Sequence, residues 1–300
     1  MESDPVGYME NEGDYDNSKD EGAEEEDYNE NENDNNPVDE DQPENIQDSQ
    51  DNQENKEIEE REKYVFLAKL NEKAGHYSQM LDYIDQFIAL NPILTPEERK
   101  FLNSAYKTSI TPKRNSWFTV NNLEKKEDSS QGKAYHKEVK RGIELEIKEH
   151  CNKITSLIDN FLLPNSPNNE SKVYYLTLKG DYLRYQCEIN TSDELPKLIE
   201  SANKCYEKAL EFCKSISILN STKLALALNF AVFLYEIKKA KKEAISFARS
   251  IYEEAVNKIE SKKETCDIER TIPKDSLFII QLIKENFIFW NGETSDDDEA

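Results

Sequence analysis

From Ile58 onward, apolar residues recur every three or four positions and almost no stretch alternates. A chain patterned this way can bury its apolar stripes only by packing helix on helix. Tyr64, Leu67, Ala68 and Leu70 keep helical spacing. After Gly75, the run Tyr77, Met80, Leu81, Ile84, Phe87, Ile88 predicts a second helix that Asn91-Pro92 stops. Thr95-Pro96-Glu97-Glu98 reads as a helix start: Thr95 at the N-cap, Pro96 in the first helical position and Glu98 closing a capping box. That third helix runs toward Val120, and 128–132 is a break. A long fourth helix ends at Leu163-Pro164, a loop covers 164–169, and a fifth helix spans 171–188, interrupted only by Gly180. Further helices are predicted at about 194–215, 222–238, 241–260 and 274–290. Nine consecutive helices with short links imply an all-α, antiparallel array. No repeat of fixed period is present.

Charge divides the chain differently. Residues 1–55 hold 22 acids against one base, Lys19, and residues 293–300 hold five acids and no base. Residues 56–292 carry 37 bases and 35 acids, so a nearly neutral body sits between acidic ends. The expected organisation is a disordered acidic extension (1–57), one helical domain (58–290) and a disordered acidic tail (291–300), because such polar ends cannot offset the entropy of ordering. A net charge of −24 argues against a nucleic-acid partner. The acidic start lacks the basic region of a signal peptide, and the longest apolar run, 224–235, is too short for a bilayer. Five scattered cysteines (Cys151, Cys187, Cys205, Cys213, Cys266) with no CxxC spacing fit a reducing compartment. The expectation is a cytoplasmic or also nuclear protein without membrane contact.

Enzyme chemistry finds little support. His76, His136 and His150 form no metal-ligand pair, and there is no phosphate-cradling glycine loop, so neither cofactor nor catalytic residue is expected. His150 and Cys151 are neighbours on a helix, about 100° apart, and read as packing residues. The cations are more informative. Lys107 and Arg114, two helical turns apart, share a face and can converge on one anion. Arg184 is followed by Tyr185, a guanidinium with an adjacent hydroxyl donor. The plainer reading is ordinary salt bridges. Asn229 lies inside a helix apolar nearly all round, with Glu236 two turns on. Leu282, Asn286 and Trp290 form one stripe. These amides can bond neighbouring helices, or hold the backbone of a bound peptide.

Four segments carry a resemblance. Arg99–Lys107 with Lys113-Arg114-Asn-Ser-Trp117, then 171–185, 224–236 and 274–290, are similar in content and order to the signature segments of the 14-3-3 family, over about residues 60–290. The resemblance implies nine antiparallel helices forming a cup with an amphipathic groove. It implies binding of phosphoserine or phosphothreonine segments of partner proteins without catalysis. By position, Lys107, Arg114, Arg184 and Tyr185 match phosphate-gripping residues, and Asn229 and Asn286 match backbone-holding amides. Glu236 and Trp290 match polar end contacts, and Leu228, Leu282 and Ile283 match an apolar wall. Such a groove requires the cationic heads to share a hollow containing no protein carboxylate. The alternative is a phosphate-independent helical scaffold or chaperone-like interaction protein.

Three departures shape the expectation. Thr177 stands where the family usually has a groove-lining lysine, which implies weakened or altered affinity. The family dimerises through its first helices against the partner's third and fourth. Here those positions hold Leu70, Ala74, His76 and Gln79 on one side, Gly142 and Glu146 on the other. Gln79 and Gly142 cannot form an ion pair, so a weaker homodimer or paralogue heterodimer is expected. Finally, Ser295 followed by acids suits an acid-directed kinase, and the phosphorylated or acidic tails can compete for the groove.

Overall fold

The computed structural model describes residues 46–263 and 272–297. Among these residues the chain is all-α: α1 (Ile46–Lys73), α2 (Tyr77–Leu90), α3 (Pro96–Lys126), α4 (Ser130–Leu157), α5 (Asn169–Ile189), α6 (Leu195–Phe212), α7 (Ser221–Val232), α8 (Lys241–Lys263) and α9 (Lys274–Asp297). Two π-type turns, Ile158–Leu162 and Phe233–Ile237, extend α4 and α7.

The helix starts follow local chemistry. At α3, the Glu98 amide donates to Thr95 Oγ1 (3.2 Å) and the Thr95 amide donates to Glu98 Oε2 (2.9 Å), the reciprocal box read from the sequence. Asn168 caps α5 by accepting from the Ser171 amide, and Asn220 caps α7 by accepting from Thr222 and Lys223. Gly75, at φ 71°, turns the chain between α1 and α2 in the left-handed region that glycine tolerates.

The two ends differ from expectation. Helix α1 begins at Ile46, so residues 46–57 extend a helix where an unstructured extension is expected. The segment offers no apolar stripe, but its Gln, Glu and Lys residues are good helix formers that can propagate from the packed part of α1. Helix α9 likewise continues past 290 to Asp297. Residues 1–45, most of the expected N-terminal extension, lie outside the described residues, as do Cys266 and 298–300.

Packing produces two cores that share α5. One joins Met80, Ile84, Leu102, Ile110, Trp117 and Ile154 with Tyr175, Leu178, Tyr182 and Tyr185. The other joins Tyr206, Leu224, Phe233, Ile279 and Trp290 with Val173 and Leu176. The same helix thus presents Tyr175 to one core and Leu176 to the next, which explains why residues on most of its faces, polar ones included, are buried. Gly180 permits this contact: a Cβ there would lie 2.8 Å from Cζ of Tyr206. The ring of α6 therefore rests directly on the backbone of α5.

Candidate functional site

The site is built where α3 meets α5. Arg114 and Arg184, 70 residues apart, converge on one carboxylate, Glu188. Arg114 donates through Nε (3.1 Å) and Nη2 (2.8 Å) to Oε2, and Arg184 donates through Nη1 (2.8 Å) to Oε1. Both guanidinium carbons lie over the Tyr185 ring, at 4.0 and 4.7 Å from its centroid. The ring is a shelf that holds two like charges side by side, with cation–π attraction offsetting part of their repulsion. Burial works against the charge of Arg114, and Glu188 more than compensates, so its pKa is raised. Lys107 is half-buried on the same face of α3, close enough to act electrostatically on Asp181. Between Lys107 and Arg114 sits Pro112, which cannot donate its helical hydrogen bond.

The Arg114 and Arg184 heads therefore converge, but on a protein acid, so the stated requirement of a hollow without a carboxylate is not met in this structure. Glu188 lies four residues after Arg184 on one helix, where side chains meet. It is also 74 residues from Arg114, a separation over which sequence spacing carries no signal.

Behind this fork lies a closed polar network. Asp181 is fully buried and accepts from Tyr206 Oη (2.7 Å) and Asn229 Nδ2 (2.9 Å). Burial pushes its carboxyl up to about 6, against the pull of Arg184 and the two hydrogen bonds. Asn229 thus bonds a neighbouring helix through its amide nitrogen.

The remaining candidates separate. Thr177 is buried at 2% exposure and donates its hydroxyl to the Val173 carbonyl (2.8 Å), so it presents no donor to a groove. Leu228, Leu282 and Ile283 belong to the second core, at 0%, 6% and 1% exposure, and pack between helices. Of the exposed apolar residues on α9 (Leu277, Phe278, Ile288 and Phe289), Phe278 and Phe289 stand at i−4 and i+7 from Leu282; the sequence reading omitted them. Asn286 Nδ2 and Trp290 Nε1, one turn apart on α9, are buried donors without acceptors. Trp290 stacks on Tyr235, with centroids 4.5 Å apart and planes 10° apart. Glu236 is half-buried at the end of α7, 4.0 Å from Lys239.

At the positions expected for dimer contact, Leu70, Ala74, His76, Gln79 and Gly142 are exposed. Glu146 is ion-paired within its own chain to Lys113 (2.6 Å). The side chain of Ser295 lies outside the described residues. His150 is buried, with Nε2 2.9 Å from the Tyr106 carbonyl, and burial lowers its pKa to about 4, so the ring is neutral and packs as expected. Burial pushes the neighbouring Cys151 thiol well above its ordinary value, which leaves it inert. Among the described residues there is no cluster of His, Cys, Asp and Glu able to hold a metal, and no helix long and apolar enough to cross a membrane.

The family model for the 14-3-3 protein matches residues 67–291, and that span contains every element of the fork and both cores. The chain belongs to the 14-3-3 family. It is 34% identical over 245 residues to 14-3-3 protein 3 of Entamoeba histolytica, covering 80% of this chain and 99% of that protein. It is 37% identical over 212 residues to 14-3-3 protein homolog 2 of Schistosoma mansoni, covering 70% and 96%. With 14-3-3 protein beta/alpha-A of Xenopus laevis it shares 34% over 236 residues, covering 78% and 94%. As a 14-3-3 protein the chain matches its relatives over nearly their whole length, and the unmatched residues are chiefly its acidic N-terminal segment.

Proposed function

We propose that this 14-3-3 chain is an adaptor that binds phosphoserine- or phosphothreonine-containing segments of partner proteins. It uses no cofactor and catalyses no reaction. Family membership supports the role in general. The observation that carries it is the fork itself: Arg114 and Arg184 already grip an oxyanion, the Glu188 carboxylate, through three charge-assisted hydrogen bonds. A phosphoryl group presents the same kind of oxygen with about twice the charge. Lys107 and Tyr185 complete the pocket. By the family resemblance Asn286 and Trp290 hold the peptide backbone; their donors are buried without acceptors here, so they reach the carbonyls of an extended peptide only when α9 shifts. Asn229 contributes its amide oxygen, Glu236 a polar end contact, and Leu228, Leu282 and Ile283 the apolar backing.

The partners are phosphorylated proteins in the cytoplasm or nucleus, bound by a homodimer or paralogue heterodimer. Affinity is lower than in relatives with a lysine at Thr177. Phospho-Ser295 competes for the pocket, and a chain lacking residues 291–300 binds phosphopeptide more tightly if it does. The test of the main reading is a titration of one fluorescent peptide with and without its phosphate, repeated with Arg184→Ala. Selective binding of the phosphorylated form, weakened roughly tenfold to a hundredfold by the substitution, is expected from the loss of a hydrogen bond to a charged group. Equal binding of both forms returns the phosphate-independent scaffold as the better reading.

A further inference from the structure

Resting on the adaptor reading, we propose that Glu188 is a built-in competitor, a side chain that holds the phosphate fork closed until a stronger anion displaces it. Three features point the same way. The carboxylate uses both oxygens, one for each arginine, so it occupies the position that a bound anion needs. Arg114, Arg184 and Glu188 are about equally shielded, with side chains 12%, 10% and 12% exposed, so the three charges meet largely out of water, where pairing is strong. Glu188 also sits on the helix that carries Arg184, one turn away, so it reaches the fork without the entropy cost of association. Tethering of this kind corresponds to an effective concentration on the order of millimolar or more.

A ligand carboxylate has the same charge and the same pair of oxygens as Glu188 but arrives from solution. It loses that competition. A phosphoryl group brings three oxygens and nearly two charges and can win it. The arrangement suits a chain with 62 acidic residues, 22 of them within its first 55, because an open fork would be a target for its own carboxylates. Glu188 makes the fork refuse monoanions at the expense of some affinity for every anion.

The opposite role is a strut that aligns the arginines, and the sign of one substitution separates the two. Full-length wild type, Glu188→Gln, Glu188→Asp and Asp193→Asn are titrated with three fluorescent peptides. The peptides differ at a single position, which is Ser, Glu or phosphoserine. Asp193 is exposed beyond the end of α5 and serves as the control for loss of a charge outside the fork. Wild type is expected to bind only the phosphoserine peptide. Glu188→Gln tightens that peptide about threefold to thirtyfold and brings the Glu peptide into measurable range. Glu188→Asp, whose shorter arm loosens the contact while keeping the charge, shifts both in the same direction by less. It gives the answer if the Gln variant is unstable. Asp193→Asn changes neither by more than about twofold. The proposal falls if Glu188→Gln binds the phosphopeptide as weakly as wild type or more weakly, or if Asp193→Asn tightens binding equally. Wild type that binds none of the three peptides overturns the adaptor reading itself, and the competitor role with it.

Discussion

At the scale of single residues, environment decides what a side chain can contribute. Thr177 is polar and stands on the same face as Arg184, seven residues on, yet its hydroxyl is bonded within its own helix. A lysine there can thread its stem along α5 and bring a cation toward the fork. Thr177→Lys is therefore expected to tighten phosphopeptide binding about tenfold, and unchanged affinity in a variant that melts like wild type removes Thr177 as the cause of weak binding. His150 shows environment acting on stability. Its pKa of about 4 lies below the ordinary 6.5, so the folded chain resists a proton that the unfolded chain accepts. The resulting stability is complete above pH 6.5 and is lost as pH falls through 6.5 toward 4. Asp181, raised to about 6 from 3.8, acts oppositely and favours the folded state as pH falls through the same region. The wild-type acid profile is thus a near cancellation, and the His150 share is read as a difference. Relative to wild type, His150→Gln should gain about 2 kcal/mol between pH 7 and pH 5 in urea titrations. A constant difference across that range means that His150 does not titrate with folding.

At the scale of elements, two glycines inside helices make opposite predictions from the same propensity. Gly142, in the middle of α4, has nothing within 4 Å of a Cβ position. Gly142→Ala should stabilise the chain by about 1 kcal/mol, the ordinary helix preference. Gly180 has the same intrinsic weakness, but a Cβ there meets the Tyr206 ring. Gly180→Ala should cost about 1–3 kcal/mol, because the ring must shift and the Tyr206–Asp181–Asn229 network moves with it. Urea midpoints that rank the two variants the other way round contradict the packing of α6 on α5. The contrast also shows what the sequence could convey. Helix order, the Thr95 cap and the turn at Gly75 are local, and each is written in adjacent residues. Arg114 and Arg184 could be paired through the family resemblance. Glu188 in the fork, Tyr206 over Gly180 and the buried state of Leu228 and Ile283 are set by which helices meet, and no spacing within one helix reports that. The helical run at 46–57 escaped for a different reason: it has propensity without an apolar stripe, and the stripe is the signal that periodicity detects.

At the scale of the whole molecule, several large apolar side chains of α1 and α4 are exposed to solvent. Phe66 and Leu70 of α1 are 66% and 51% exposed, and Tyr135, Val139 and Leu145 of α4 are 59%, 55% and 57% exposed. Patches of this kind, rimmed by polar residues, mark association sites. The charges that would fix such an association are poorly placed. In the dimer that the family resemblance implies, Gln79 and Gly142 cannot form an ion pair, and Glu146 already pairs with Lys113 in its own chain. Apolar contact without ion-pair register gives association with less affinity and less specificity of orientation. The expected outcome is a homodimer weaker than nanomolar, which sedimentation velocity resolves as a concentration-dependent shift between monomer and dimer in the micromolar range. Leu70→Glu should leave only monomer, because it places a charge in the apolar contact, while phosphopeptide affinity per fork stays within about twofold, because α3 and α5 of one chain build that pocket. A dimer that persists at nanomolar concentration, or a Leu70→Glu chain that remains dimeric, places the interface elsewhere.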